Sequence, residues 1–349
     1  MVEHGKGMTI EITDHWNYIL NGFASNEKDI YFGEEYVRLY ESESEKAVCC
    51  VVNEGEKTML FPFLRRAFTF DGQTLYDFET AYGYGGPIWH NEDDDFKVVS
   101  LQLMEETLRQ KNYVAGFVRF HPLLTNYMSF PIGNVIKDRK TIAIDLSLDE
   151  EEIWMQEIHT KNRNVIKKGE KNGLEFIVDN EYRYLSDFIR LYNETMDKLD
   201  ASDFYYFNQR YYDSFVNHLP NSFLGVVLYE GKVVSAAIFM YEGTFGHYHL
   251  SGSDKNYLRL MPNNFMLWHA ALELKRRGVT TFHLGGGTTS SEEDSLFCFK
   301  NRFSKHLYQF CLGKVVFNYD KYQEICSVWE KKNPNKVEQY KHFLLKYKY

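Results

Sequence analysis

Three consecutive apolar segments in the second half of the chain constrain its fold more than any other feature. They span residues 223–229, 232–241 and 245–252, and the short runs Glu-Gly and Glu-Gly-Thr separate them. Their β-branched and aromatic residues predict strands. Because connections of two or three residues join antiparallel neighbours, the three strands are predicted to form an antiparallel meander.

A helix and one more strand follow the meander. Residues 261–277 have a helical pattern with asparagine as the expected N-cap, and Gly278 follows it. Residues 279–284 predict a strand that stops at three glycines, and an acidic polar run then leads to an amphipathic turn carrying Lys300. A strand that ends at three glycines and is followed by a lysine is typical of one wall of a functional site.

The first half repeats this order in a shorter form. Its predicted elements are a hairpin, a third strand, a helix and two further strands, at residues 47–52 with 58–63, 74–78, 94–112, 113–120 and 141–146. The chain of 349 residues is long for one domain. An α/β sandwich of the α+β type is therefore predicted for each half, rather than a repeated parallel βαβ array.

Composition excludes several classes of protein. The net charge of −9 does not suit a general nucleic-acid binder. The five cysteines lack the paired spacing of a zinc site, and no carboxylate or cysteine at ligand spacing supports a metal on the His247-x-His249 pair. The sequence shows neither a signal peptide nor an apolar run of membrane-spanning length, so a soluble cytoplasmic protein without an integral membrane segment is expected.

Residues 80–87 cannot form a regular element, because three glycines and a proline fall among eight residues. Two interpretations stay open for this segment. It is either a loop that brings its backbone and the faces of Tyr82 and Tyr84 to a ligand, or an elaborate turn with core tyrosines.

A basic helix is predicted between the two halves. Ser147 and Glu150 fit a capping box, and the helical pattern runs to Gly173 with a break near His159. One face carries Lys161, Asn164, Lys167, Lys168 and Lys171, and Arg163 lies between the two faces. This face is either an ordinary solvated surface or a site for phosphates, a nucleotide or an RNA acceptor end.

Several motifs together resemble the FemAB-like family of aminoacyltransferases. They are Tyr-Gly-Tyr-Gly-Gly-Pro at 82–87, Lys-Asn-Arg at 161–163 with the following basic run, Tyr-His-Leu-Ser-Gly-Ser at 248–253, Pro-Asn-Asn-Phe-Met-Leu-Trp at 262–268, and Leu-Gly-Gly-Gly at 284–287 with Phe299-Lys300. The resemblance covers nearly the whole chain. It implies two tandem GNAT-like domains with mixed, mostly antiparallel sheets flanked by helices and a substrate cleft between them, at residues 1–145 and 146–316, with 317–349 returning to the first domain.

The resemblance also implies roles for particular residues. The family's Phe-Lys pair matches Phe299 and Lys300, which would place Lys300 beside the reacting ends to stabilise charge. The other implied substrate-binding residues are Tyr82, Tyr84, Gly85, Gly86, Lys161, Arg163, Lys167, His249, Asn264 and Gly286. Two departures stand out: the chain has no room for a long coiled-coil arm, and residues 255–264 lack the glycine-rich turn of a standard coenzyme A site.

These features predict an acyl or aminoacyl transfer to an amine of a cell-wall or surface-polysaccharide precursor. The donor is aminoacyl-tRNA or acyl-CoA, no cofactor is tightly bound, and the partners are a nucleotide- or lipid-linked glycan or peptide precursor and the acceptor end of tRNA. Asp294, Glu292 and Glu293 are either bases or loop caps. The alternative is an inactive tandem GNAT scaffold that binds an amino acid, a nucleotide or a protein.

Overall fold

The computed structural model describes residues 2–3 and 7–349. Its strands are β1 (Val2–Glu3), β2 (Met8–Thr13), β3 (Glu45–Glu54), β4 (Lys57–Phe70), β5 (Gln73–Glu79), β6 (Ile88–His90), β7 (Tyr113–Arg119), β8 (Asn134–Asp145), β9 (Leu174–Asp179), β10 (Ser222–Tyr229), β11 (Lys232–Glu242), β12 (Phe245–Ser253), β13 (Thr281–Gly286) and β14 (His306–Val316). Its helices are α1 (Asn17–Leu20), α2 (Glu34–Arg38), α3 (Asp94–Gln110), α4 (Glu150–Glu152), α5 (Thr160–Lys171), α6 (Leu185–Lys198), α7 (Gln209–His218), α8 (Pro262–Arg276), α9 (Ser295–Lys300), α10 (Tyr319–Lys332) and α11 (Val337–Tyr340).

The chain divides into two compact units. The first comprises residues 1–138 and 309–349, and the second comprises residues 139–308. The sequence placed the divisions after residues 145 and 316, near the ends of two predicted strands. In the structure they fall inside β8 and β14.

The first unit contains a mixed, mostly antiparallel sheet. Its strands follow the order β1-β2-β3-β4-β5-β7-β14, with β6 also paired to β4, and only β5 and β7 run parallel. Phenylalanines such as Phe61, Phe63 and Phe78 alternate into a core that α3 covers. The C-terminal residues belong to this unit, where Ile325 of α10 packs with Leu75 of β5 and Val114 of β7.

The second unit has the same design. Its strands follow the order β8-β13-β12-β11-β10-β9, and only β12 and β13 run parallel. The predicted meander is present as β10, β11 and β12, because the short turns leave no other pairing within reach. Helix α8 packs its apolar face on this sheet, with Phe265, Met266 and Leu267 in the core.

The structure corrects three local predictions. Asp149 and Glu152, not Ser147 and Glu150, form the capping box before α4, since Ser147 instead donates its hydroxyl to Asp145. Helix α8 begins at Pro262 after Met261 with φ 56°, because proline is already shaped for the first helical position. Asparagine is therefore not its N-cap.

The third correction concerns residues 307–318, where the sequence predicts two short strands on either side of Gly313. β14 instead continues through it as one strand. A Cβ at Gly313 would lie 2.8 Å from the ring of Phe120, so the glycine allows close packing rather than a turn.

Candidate active site in the second unit

The parallel strands β12 and β13 of the second unit pair only at their beginnings. The pairs are Phe245 with Thr281, Gly246 with Phe282 and His247 with His283. Farther along, β12 remains paired with β11 as far as Ser253, whereas β13 pairs with β8 as far as Gly286. Both strands carry an extra residue relative to these partners, His249 in β12 and Leu284 in β13. The two strands therefore separate after three residue pairs.

Lys300 lies at the end of β13, beside this separation. It is the last residue of α9, its side chain is 7% exposed, and its Nζ donates a hydrogen bond to the carbonyl of Gly286 at 2.8 Å. The ring of Tyr248 in β12 lies 5.8 Å from the same Nζ. The structure thus brings three predicted elements together. They are the glycine loop (residues 285–289), the strand ending at Ser253 and the Phe299-Lys300 pair.

The surroundings of Lys300 favour its neutral amine. Burial lowers the pKa of Lys300 to about 7; the charge of Asp294 opposes the shift and that of Arg139 adds to it. Burial also raises the pKa of the neighbouring Tyr248 to about 12, and its hydroxyl donates to Ser251 at 2.6 Å. A lysine in this condition can exchange a proton near neutral pH, which an exposed lysine cannot do.

The Lys300→Met variant is expected to differ from the wild type in how stability depends on pH. The unfolded chain keeps an ordinary lysine protonated to higher pH than the folded chain, whose Lys300 pKa is about 7. The unfolded state therefore binds more protons between these values, so wild-type stability rises with pH relative to the variant. Between pH 7 and pH 10 this relative gain should be roughly 3 kcal/mol.

Urea denaturation of both proteins across that pH range measures the difference. Lys198→Met is the matched control, because Lys198 also ends a helix of the second unit but is exposed. Its stability should stay parallel to that of the wild type. Parallel curves for Lys300→Met would show that the Lys300 pKa is not lowered in the folded protein.

Asp294 caps α9 and holds the glycine loop. Its two carboxylate oxygens accept hydrogen bonds from the backbone and hydroxyl groups of Thr288 and Thr289 and from the backbone N–H groups of Leu296 and Phe297. Burial acts against ionisation, but the bonds from Thr288, Phe297 and Thr289 hold the pKa of Asp294 well below its usual range. Of the two interpretations given for Asp294, the structure shows the loop cap.

The side chain of Arg163 bridges the break in the basic helix. A π-helical turn at Ile153–Glu157 precedes the break, and the Nη1 of Arg163 donates to the carbonyls of Trp154, Met155 and Ile158 at 2.9–3.1 Å. Its guanidinium therefore satisfies three terminal carbonyls. Lys161 and Lys167 are exposed, and Lys167 lies 5.7 Å from the ring of Trp154.

Asn264 and His249 are held by neighbours inside the second unit. The Nδ2 of Asn264 donates to the Oδ1 of Asn162 at 2.7 Å, which ties α8 to α5. The Nε2 of His249 lies 2.8 Å from the hydroxyl of Tyr211, and burial, with the charge of His247, lowers the pKa of His249 to about 3. The imidazole of His249 is therefore neutral at physiological pH, so it can form hydrogen bonds but carries no charge for a ligand.

The tyrosine-glycine loop lies in the first unit, where a buried asparagine shapes it. The Nδ2 of Asn126 donates to the carbonyls of Gly85 and Pro87 at 2.8 and 3.0 Å. Gly86 has φ 92°, and a Cβ there would lie 2.8 Å from that same nitrogen. Tyr84 packs edge-on against the ring of Tyr31 at 5.3 Å, and the hydroxyl of Tyr36 donates to the carbonyl of Tyr82.

The parallel strands of the first unit do not separate as those of the second unit do. β5 and β7 pair from Tyr76 to Glu79, and Thr80 continues the contact by donating its N–H to the carbonyl of Phe117. A further bridge joins Gly85 to Phe120. Among the described residues, the parallel strands of the second unit therefore separate beside the buried Lys300, whereas those of the first unit stay paired.

Comparison with known proteins first gives the class of domain. Residues 159–293 match the sequence model described as an acetyltransferase (GNAT) domain. This segment contains α5, the meander, α8, β13 and the glycine loop. The predicted GNAT-type resemblance is therefore confirmed for this part of the second unit.

Solved structures then show that the fold extends over both units. The crystal structure of FemX has a TM-score of 0.68 at 15% identity, covering 90% of this chain and 99% of that chain. The C-terminal domain of a putative lysylphosphatidylglycerol synthetase from Agrobacterium fabrum has a TM-score of 0.54 at 15% identity, covering 87% and 91%. A conserved protein of unknown function from Bacteroides thetaiotaomicron has a TM-score of 0.54 at 12% identity, covering 88% and 100%.

These likenesses establish the fold, which is similar to that of FemX. A search of curated proteins gives no significant match. Among the described residues, no helix has both the length and the apolar character needed to cross a membrane.

Proposed function

We propose that this protein transfers an acyl or aminoacyl group from an activated ester or thioester to an amine, with Lys300 as the base. The observation that carries the proposal is the position of the Lys300 amine. It is buried, bound to the Gly286 carbonyl, and lies where β12 and β13 separate.

The separated strands provide a place for the donor. Two parallel strands that diverge leave room between their edges, and an extended ligand can then pair with their backbone as an added strand would. The residues that border this space are Tyr248 on β12 and Leu284 to Gly286 on β13, with Lys300 at its end. The acyl carbonyl of the donor would point towards Lys300.

The reaction can be balanced with the groups present. The nitrogen of the acceptor amine attacks the acyl carbon, a C–N bond forms, and the C–O bond of an ester or the C–S bond of a thioester breaks. The neutral amine of Lys300 takes the proton that the attacking nitrogen loses. The resulting ammonium then stabilises the oxyanion and returns the proton to the departing oxygen or sulfur.

An exposed basic surface supports an anionic partner for this site. It consists of Lys161, Lys167, Lys168 and Lys171 on α5 and of Arg302 and Lys305, which follow α9. The two segments adjoin, since the N–H of His159 donates to the carbonyl of Arg302 at 2.9 Å. In a chain of net charge −9, such a surface favours a nucleotide- or lipid-linked precursor or the acceptor end of an aminoacyl-tRNA.

The cysteines are compatible with a cytoplasmic location. All five are free thiols, four of them are buried, and the adjacent pair Cys49 and Cys50 lies inside β3. Free thiols are the usual state of cysteine in a reducing compartment. The proposed reaction would therefore take place on precursors assembled in the cytoplasm.

Mass spectrometry of reaction mixtures tests the proposal. The purified protein is incubated with either acetyl-CoA or an aminoacyl-tRNA, each with a UDP-linked peptide precursor or a lipid-linked precursor as acceptor. An acceptor whose mass increases by one acyl or aminoacyl group is the expected result, and the donor that works identifies the donor class. Binding of a precursor without transfer from any donor would instead favour the inactive scaffold.

A further inference from the structure

Arg139 binds the same loop that holds Lys300. Its Nη1 donates hydrogen bonds to the carbonyls of Gly287 at 2.9 Å and Thr288 at 3.1 Å. Lys300 donates to the carbonyl of Gly286, the residue before them. Two basic side chains, one from β8 and one from α9, thus bind the carbonyls of three consecutive residues.

The glycine loop is also packed tightly on β8. A Cβ at Gly286 would lie 2.9 Å from the carbonyl oxygen of Lys140 and 3.1 Å from the Cδ of Arg139. The aliphatic part of the Arg139 side chain therefore covers one side of the loop while its guanidinium binds the carbonyls. Any movement of Arg139 would change where the Gly286 carbonyl meets the Lys300 amine.

Two charged side chains and one aromatic ring, from three elements, surround Lys300. β8 contributes the guanidinium of Arg139, the loop before α9 contributes the carboxylate of Asp294, and β12 contributes the ring of Tyr248. The positive charge of Arg139 disfavours a proton on Lys300, and the negative charge of Asp294 favours one. Lys140 is partly exposed and is paired with Glu292 at 2.8 Å.

We infer that Arg139 is a positioning residue that fixes the glycine loop beneath the Lys300 amine. Its positive charge beside that amine also disfavours a proton there. The inference rests on the proposed function for its catalytic consequence. The effect of Arg139 on the proton affinity of Lys300 can be measured without a substrate.

Nuclear magnetic resonance with 13C-labelled lysine tests the inference. The Cε signal of Lys300 is assigned by its loss in Lys300→Met and is followed from pH 5.5 to pH 9.5. In Arg139→Gln the titration midpoint should rise by about one pH unit, since a neighbouring positive charge is removed. In Arg139→Lys, which keeps the charge, the midpoint should move by less than about 0.3 unit. Lys140→Gln is the matched control on the next residue and should also leave it in place.

A midpoint in Arg139→Gln equal to that of the wild type would overturn the inference, as would a full-unit rise in Arg139→Lys. A merely structural role would lower the melting temperature without moving the titration. Once a donor is known, kcat/KM of Arg139→Gln at pH 7 should be about five- to ten-fold lower, with a smaller loss at pH 9. If the titration shifts as stated but no donor supports turnover, the proposed function fails and the positioning role remains.

Discussion

Replacing Lys300 by methionine is expected to lower kcat/KM for acyl transfer by about 10²- to 10³-fold, the usual contribution of a positioned acid–base group. Methionine has a similar length and fills the buried site, but it cannot take a proton from the acceptor amine. The wild-type kcat/KM should rise with pH and level off above about 7, because the neutral form of Lys300 is the active base. Steady-state rates across pH 5.5 to 9 measure both effects.

Lys300→Arg separates the two roles that a lysine can have here. A guanidinium keeps its positive charge but cannot be deprotonated in a protein, so this variant should be as impaired as Lys300→Met. Lys198→Met is the matched control and should retain full activity. If Lys300→Arg retains most of the activity, charge stabilisation, as the family resemblance implies, is the correct role and the base is elsewhere.

Replacing Asp77 by alanine is expected to reduce the free energy of unfolding of the first unit by about 3–5 kcal/mol. Asp77 is buried in β5, and its carboxylate accepts two hydrogen bonds from the guanidinium of Arg66 in β4, one of them at 2.9 Å. The variant would leave a largely buried guanidinium without its counter-charge. Calorimetry measures the loss, and it also resolves separate transitions if the two units unfold in sequence.

Two further variants identify the cause of this loss. Arg66→Met combined with Asp77→Leu removes both charges and should restore much of the stability, because the cost comes from an unpaired charge. Glu181→Ala breaks the ion pair with Arg183, in which both side chains are exposed, and should cost far less stability than Asp77→Ala. Equal losses for Asp77→Ala and the double variant would show that lost packing, not charge, is responsible.

The two units contain sheets of similar design but differ where a ligand would bind. In both, a mostly antiparallel sheet includes one parallel pair, β5 with β7 and β12 with β13. The first pair is extended by the contacts of Thr80 and Gly85, whereas the second separates beside Lys300. The same fold can therefore support a donor site in one unit and a differently shaped surface in the other.

Local patterns in the sequence account for the elements and their order. Apolar runs separated by two- or three-residue turns leave little choice but antiparallel pairing, so β10, β11 and β12 could be predicted from composition and spacing. The period of α3 and the glycines after β13 are equally local signals. Lys300 could be singled out because it follows such a glycine loop and matches a family motif.

The environment of these residues could not be predicted, because it depends on partners far along the chain. Arg139 carries no signal of its own in the sequence, and its partner Gly287 is 148 residues away. Arg163 matched a basic, phosphate-binding pattern, yet its guanidinium binds the carbonyls of the preceding turn. The family resemblance implied that Asn264 binds substrate, whereas in the structure its side chain, in the first turn of α8, donates to Asn162.

The sequence by itself therefore determined where many of the strands lie, how β10, β11 and β12 pair, and which lysine follows the glycine loop. These follow from side-chain periodicity and turn residues, which act over a few residues. Only the tertiary structure decided that the Lys300 amine is buried on the Gly286 carbonyl with a pKa of about 7. Desolvation and the charges of Arg139 and Asp294 set that pKa, and both exist only once β8, β13 and α9 have packed together.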